Sequence, residues 1–188
     1  MVQLWRSFGG LVPLLGLVVI GLAVLLPMIR RSSRQRRRFI INALLVGWSL
    51  GVAAVTLSPA AGQRGRAVEA IPLMSIADLV TNSVDWQVPA AQIGGNVLLF
   101  VPLGILLMAN AQSGSLPAGI RRGCLVAAVV AVVIEVAQYM LGFGRVASVD
   151  DIILAVIGTA AGTLIAAVVT RRLRPAGTRK PVVRSLPN

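Results

Sequence analysis

Glu135 is the residue whose type and setting most demand a partner. It lies inside the apolar run 124–143, which has about the length that spans a bilayer core. A carboxylate at such depth costs roughly 2.5–3.5 kcal/mol on insertion scales, so it must face protein or a wet cavity and be paired there. Gln138 and Tyr139 follow at i+3 and i+4, on the same helical face. Arg145, Asp150 and Asp151 come next, so residues 135–151 hold half of the six carboxylates in the chain. Four chemistries suit this set. Arg145 can grip a phosphate or carboxylate in bidentate fashion. Three carboxylates can hold a divalent ion through oxygen. A buried carboxyl, Glu135 or Asp150, can serve as a general acid/base. The fourth is an ion-pair network that only settles helix packing. The spacing leaves all four open.

The elements that must position these residues are read from composition. Hydrophobic residues are 56% of the 188 and charged residues 13%, with mean hydropathy +0.85. Soluble domains carry about 25% charged residues, so this is a polytopic membrane protein, an all-α bundle. Five spans are expected, at 11–29, 40–57, 90–109, 124–141 and 152–169. The first has its strong positive charge after the apolar stretch, so it reads as an uncleaved helix and not a signal peptide. With the N-terminus outside, fourteen Lys/Arg fall on the cytoplasmic side, at 30–38, 121–122 and 171–184. Four fall outside: Arg6, Arg64, Arg66 and Arg145. The positive-inside rule therefore puts the C-terminus in the cytoplasm. The expected divisions are 1–38, the first helix and a basic loop; 39–172, a four-helix membrane domain; and 173–188, a basic disordered tail.

In this topology Asn96, Glu135, Gln138, Arg145, Asp150 and Asp151 converge on a pocket in the outer leaflet, with Gln92 on the face of Asn96. The 47–51 segment, Gly-Trp-Ser-Leu-Gly, and the 158–162 segment, Gly-Thr-Ala-Ala-Gly, are patterns that let membrane helices approach closely. Asp151, Ala155, Gly158 and Gly162 form one narrow face of the last span. Pro102 removes a donor opposite Leu98 and bends the third span near Asn96. Pro117 falls in a Gly/Ser-rich turn ahead of the fourth span. The segment 60–89 reads as a loop or a short interfacial helix, with Trp86 at the headgroup level.

Several functions are excluded. The chain has no histidine and one cysteine, so a Ser-His-Asp triad, a histidine-based zinc site and an internal disulfide are ruled out. Cys124 opens an apolar helix and reads as a small hydrophobe. The net charge of +12 lies in juxtamembrane clusters suited to anionic lipid, with no nucleic-acid motif beside it.

The ordered motifs resemble the VanZ-like family of bacterial membrane proteins. They are Asn96-Val-Leu-Leu-Phe100-Val-Pro102-Leu-Gly104, Glu135-x-x-Gln138, Gly144-Arg145, Asp150-Asp151 and Gly158, preceded by Thr56-Leu57-Ser58-Pro59 and Ile71-Pro72-Leu73. The resemblance covers about 45–170. Two positions depart from it: Ser148 stands where members usually carry an acid, and Ala155 where they usually carry Asn, which thins the polar cluster. The resemblance implies a multi-pass protein of the bacterial cell membrane, related to one associated with low-level resistance to the glycopeptide teicoplanin. The expected role is non-enzymatic, without metal or cofactor. The expected partners are membrane lipids and a lipid-linked or glycopeptide ligand. A membrane enzyme acting on an envelope lipid and a purely structural subunit are the alternatives.

Overall fold

A computed structural model describes residues 11–57, 67–69, 71–83, 85–111, 115–141 and 146–172. Six helices and two short strands follow one another: α1 (Leu11–Arg31), α2 (Arg34–Thr56), β1 (Ala67–Glu69), α3 (Met74–Asn82), α4 (Gln87–Asn110), α5 (Leu116–Leu141), β2 (Val146–Ser148) and α6 (Val149–Arg172). All but α3 are long and apolar enough to cross a membrane. At 1.5 Å per residue, α4 and α6 are each about 36 Å long.

The helices run past the expected apolar spans because polar caps start them early. The Ser33 side chain accepts from the Arg36 backbone N–H and its carbonyl from Arg37, so residues 34–38 are the first turn of α2. Ser115 does the same for α5, accepting from Ala118 through its hydroxyl and from Gly119 through its carbonyl. Pro117 thus lies in the first turn of α5, where its missing N–H has no intrahelical partner to lose, and not in a turn ahead of the helix. Asp85 holds the start of α4, its side chain accepting from Gln87 N–H at 3.0 Å.

The centre of the bundle is the pair α4 and α6. A methyl group at Gly158 would come within 2.2 Å of the Val97 carbonyl oxygen, one at Gly162 within 2.0 Å of that of Val101, and one at Gly104 within 2.1 Å of that of Thr159. The backbones therefore touch, and the pairing of 97 with 158 and 101 with 162 makes the two helices parallel. Lipid tails are as apolar as leucine, so helices in a bilayer are held by this closeness of packing and not by expulsion of water. Helix α5 runs antiparallel: Gly119 lies by Met108 and Thr163, and Gly123 by Thr159 and Thr163.

Helices α1 and α2 pack outside this pair. Leu22, Leu26 and Ile29 of α1 and Ile41 of α2 join Val101, Ile105, Leu106, Ala109 and Ala166 in one buried cluster. Val52 joins Leu99, Phe100, Leu103, Ala127, Ala131 and Ala155 in another. The Trp48 indole N–H donates to the Leu99 carbonyl at 2.8 Å, three residues before Pro102, and the ring meets Phe100 edge-on. Gly47 and Gly51 face open space, with nothing within 4 Å of a methyl placed on either. Among the described residues that small-xxx-small pattern packs against no helix, which corrects the expectation drawn from it. Trp48, between the two glycines, makes the contact with α4.

Charge is divided along the bundle axis. All six carboxylates sit where α4 and α6 begin and α5 ends, or on the α3 and β1 segments at that end. The ten arginines among the described residues sit at the opposite end, on the α1–α2 junction, the first turns of α5 and the last turn of α6. Arg30 there donates to the Met108 carbonyl in the last turn of α4. At the acidic end β1 pairs with β2 in parallel, with Glu69 opposite Ser148.

Gly158→Ala and Gly162→Ala should each destabilise the protein by about 1–3 kcal/mol, as an overpacked core does. Gly47→Ala and Gly51→Ala should leave stability unchanged or raise it by up to about 1 kcal/mol, because alanine is the better helix former and has room at both positions. Denaturation midpoints of the four variants in one detergent check this contrast.

Candidate functional site

Asp150, 1% exposed, occupies the first turn of α6, where the helix dipole favours an anion. Its two oxygens accept from backbone N–H groups of a different element: Oδ1 from Leu73 and Oδ2 from Ile76 at 3.0 Å. Both donors lie at the start of α3, where helical N–H groups have no intrahelical acceptor. Asp150 is thus a helix cap supplied from 77 residues away. The turn it holds is strained. Leu73 caps α3 in the left-handed region, at φ 67°, with no side-chain cap of its own. That conformation costs an L-residue roughly 1–2 kcal/mol. Two hydrogen bonds to a charged acceptor, at roughly 1.5–3 kcal/mol each, offset it.

Ser148 connects Asp150 to Glu135. Its hydroxyl accepts from the Asp150 N–H at 3.2 Å and lies 2.8 Å from the Ser75 hydroxyl of α3. Its backbone N–H donates to Glu135 Oε2 at 3.0 Å. Glu135 and Ser148 are both 8% exposed, so the intramembrane carboxylate faces protein, as its cost in lipid requires. A continuous hydrogen-bonded path therefore runs from α5 through β2 and α6 to α3.

Two further bonds close the same end. Asn96 Nδ2 donates to Asp151 Oδ1 at 2.6 Å, joining α4 to α6 just above the glycine contacts. Gln138 Nε2 donates to the Thr56 carbonyl at 2.8 Å, pairing a carbonyl at the end of α2 that the helix leaves open.

Of the six expected residues, the structure brings Glu135 and Asp150 together through Ser148, pairs Asn96 with Asp151, and sets Gln138 against α2. Arg145 lies outside the described residues. Gln92 is exposed and so does not share the environment of Asn96. Tyr139, on the same face of α5, is more exposed, at 38% against 8% for Glu135 and 5% for Gln138. Among the described residues no three of His, Cys, Asp and Glu gather as a metal-ligating group.

Ser75, Ser148 and the Leu73 turn are members that the residue types alone did not bring forward. The signal was present for Ser148: serine two residues before an acid, at the start of an apolar helix, is a capping pattern. A position that seemed to thin the cluster is the one that links it. Ala155, the other departure, packs in the apolar cluster with Leu99 and Leu103.

Five apolar spans with a hydrogen-bonded carboxylate cluster at one end define a multi-pass membrane protein. The chain belongs to the VanZ/LLP1 family, whose model matches residues 39–170. No curated protein and no solved structure matches it.

Asp150→Asn turns an acceptor oxygen into a donor facing a backbone N–H. It should cost about 1.5–3 kcal/mol, the worth of a hydrogen bond to a charged group. Asp78→Asn, on the exposed side of α3, should change stability by less than about 0.5 kcal/mol. A lower thermal midpoint in detergent for the first variant alone, with faster proteolysis at 71–83, is the expected result.

Proposed function

We propose that this protein is a non-enzymatic, multi-pass protein of a bacterial cell membrane that binds a lipid-linked envelope intermediate or a lipophilic glycopeptide at its acidic end. In this reading that end faces outward, with the N-terminus outside and the C-terminus cytoplasmic. The division of charge supports this orientation, because the arginine-rich end is the one the positive-inside rule retains in the cytoplasm. The observation that carries the binding role is the buried path Glu135–Ser148–Asp150, roofed by α3, at the end of spans that are otherwise apolar. Arg145, directly before β2 in sequence, meets the anionic group of the ligand, and Asn96, Glu135 and Gln138 supply hydrogen bonds. An outward site suits protection against teicoplanin-type drugs, which act outside the membrane, and family membership supports that link.

A structural role has its own observation in favour. Both oxygens of Asp150 accept from the backbone at the start of α3, and Asn96 donates to Asp151. In that reading the cluster only fastens α3, β2 and α6.

Drug susceptibility of a sensitive host carrying wild type, Glu135→Gln or Arg145→Ala at matched membrane abundance separates the two. Protection by wild type that is lost in both variants is the expected outcome. Equal protection by all three would reduce the cluster to scaffolding.

A further inference from the structure

The surface of α3 divides into three sectors. Ser75, Ile76, Leu79 and Ser83 recur at helical spacing and are half-buried against the bundle. Asp78 and Asn82 lie on another edge, exposed and bonded to each other. The third sector is mostly apolar and uncovered: Leu73 is 57% exposed, Met74 53% and Val80 55%, with Ala77 and Thr81 exposed beside them and the Thr81 hydroxyl donating to the Ala77 carbonyl. These positions fall within about a third of a turn of one another at 3.6 residues per turn.

Where this flank sits is set by its two ends. The first turn of α3 is bonded to Asp150 in the first turn of α6, and only Ser83–Trp86 separate its last residue from the first of α4. Helices α4 and α6 are parallel and both cross the membrane, so α3 is held at the level where two spans begin. Trp86, 75% exposed, marks the same level with the amphipathic ring that favours a bilayer boundary.

We infer that α3 is seated in the bilayer surface: Leu73, Met74, Ala77 and Val80 enter the headgroup–acyl boundary, while the opposite sector covers Ser148 and Asp150. The partner is the lipid surface itself, because the flank is mostly apolar and is held at the level where two spans begin, beside the exposed Trp86. The polar edge carries Asp78 and no cation, so attraction to anionic lipid adds nothing and apolar contact alone holds the helix. Helix α3 is then a lid fastened on two sides, by lipid outside and by Asp150 within. This placement stands whether or not the cluster beneath takes a ligand.

The test uses the full chain with Cys124→Ala, reconstituted in phosphatidylcholine vesicles, and single nitroxide labels on Ala77→Cys or Asn82→Cys. Both positions are exposed, so neither label disturbs packing. Power-saturation measurements with oxygen and with a water-soluble nickel chelate should place the label at 77 about 5–10 Å below the phosphates. The label at 82 should remain open to the chelate. Adding anionic phosphatidylglycerol should leave the depth at 77 unchanged. Equal access of the chelate to both labels would overturn the proposal by placing α3 in water. A label at 77 closed to both oxygen and chelate would overturn it by showing that protein, such as a second copy, covers the flank. A depth that increases with anionic lipid would overturn the apolar basis of the seating.

Discussion

The backbone contact between α4 and α6 is the constraint on which the rest of the molecule depends. Carbonyl oxygens of Val97, Val101 and Thr159 occupy the space that a side chain would take at Gly158, Gly162 and Gly104. In lipid no hydrophobic force presses helices together, so contact over many atoms at short range must do so. The same contact sets the relative height of the two helices. It puts Asn96 opposite Asp151, and Asp150 at the level where α3 can reach it. Any polar chemistry at the acidic end therefore inherits its geometry from glycines in the apolar middle.

The buried carboxylates act as fasteners because a low-dielectric setting gives each of them a strong demand for donors. Asp150 meets that demand with the backbone donors of α3, and Glu135 accepts from the Ser148 backbone N–H of β2. Loops at membrane depth are tolerated where protein encloses them. The β1–β2 pairing joins backbone groups of the two strands, and the Ser75–Ser148 contact pairs the hydroxyl of the buried Ser148.

The five spans were legible from hydropathy because a bilayer core requires apolar runs of about twenty residues, longer than most soluble helices bury on all sides. Their ends were less so: Ser33 and Ser115 extend α2 and α5 through polar sequence that hydropathy assigns to loops. The acidic face of α6 was legible from the spacing of Asp151, Ala155, Gly158 and Gly162, since helical geometry alone aligns them. The Gly47 and Gly51 pattern misled because a small-xxx-small motif permits close approach without requiring it. Asp150 was picked out as a carboxylate, but its partners are backbone groups, which carry no residue signature. Ser148 was discounted for a missing charge when its contribution is a hydroxyl and an N–H.

The distance along the chain between Leu73 and Asp150 sets the order of assembly. Asp150 lies 77 positions after Leu73, and the stretch between them contains two complete spans, α4 and α5. At 5–20 residues per second, synthesis of that stretch takes about 4–15 s. Throughout that interval the left-handed turn at Leu73 has no Asp150 to receive its N–H, and β1 has no β2 to pair with. The acidic end therefore closes only once α4 and α5 are complete and α6 has begun. A nascent chain that stalls within α5 leaves α3 joined to α4 but without the Asp150 carboxylate that caps its first turn.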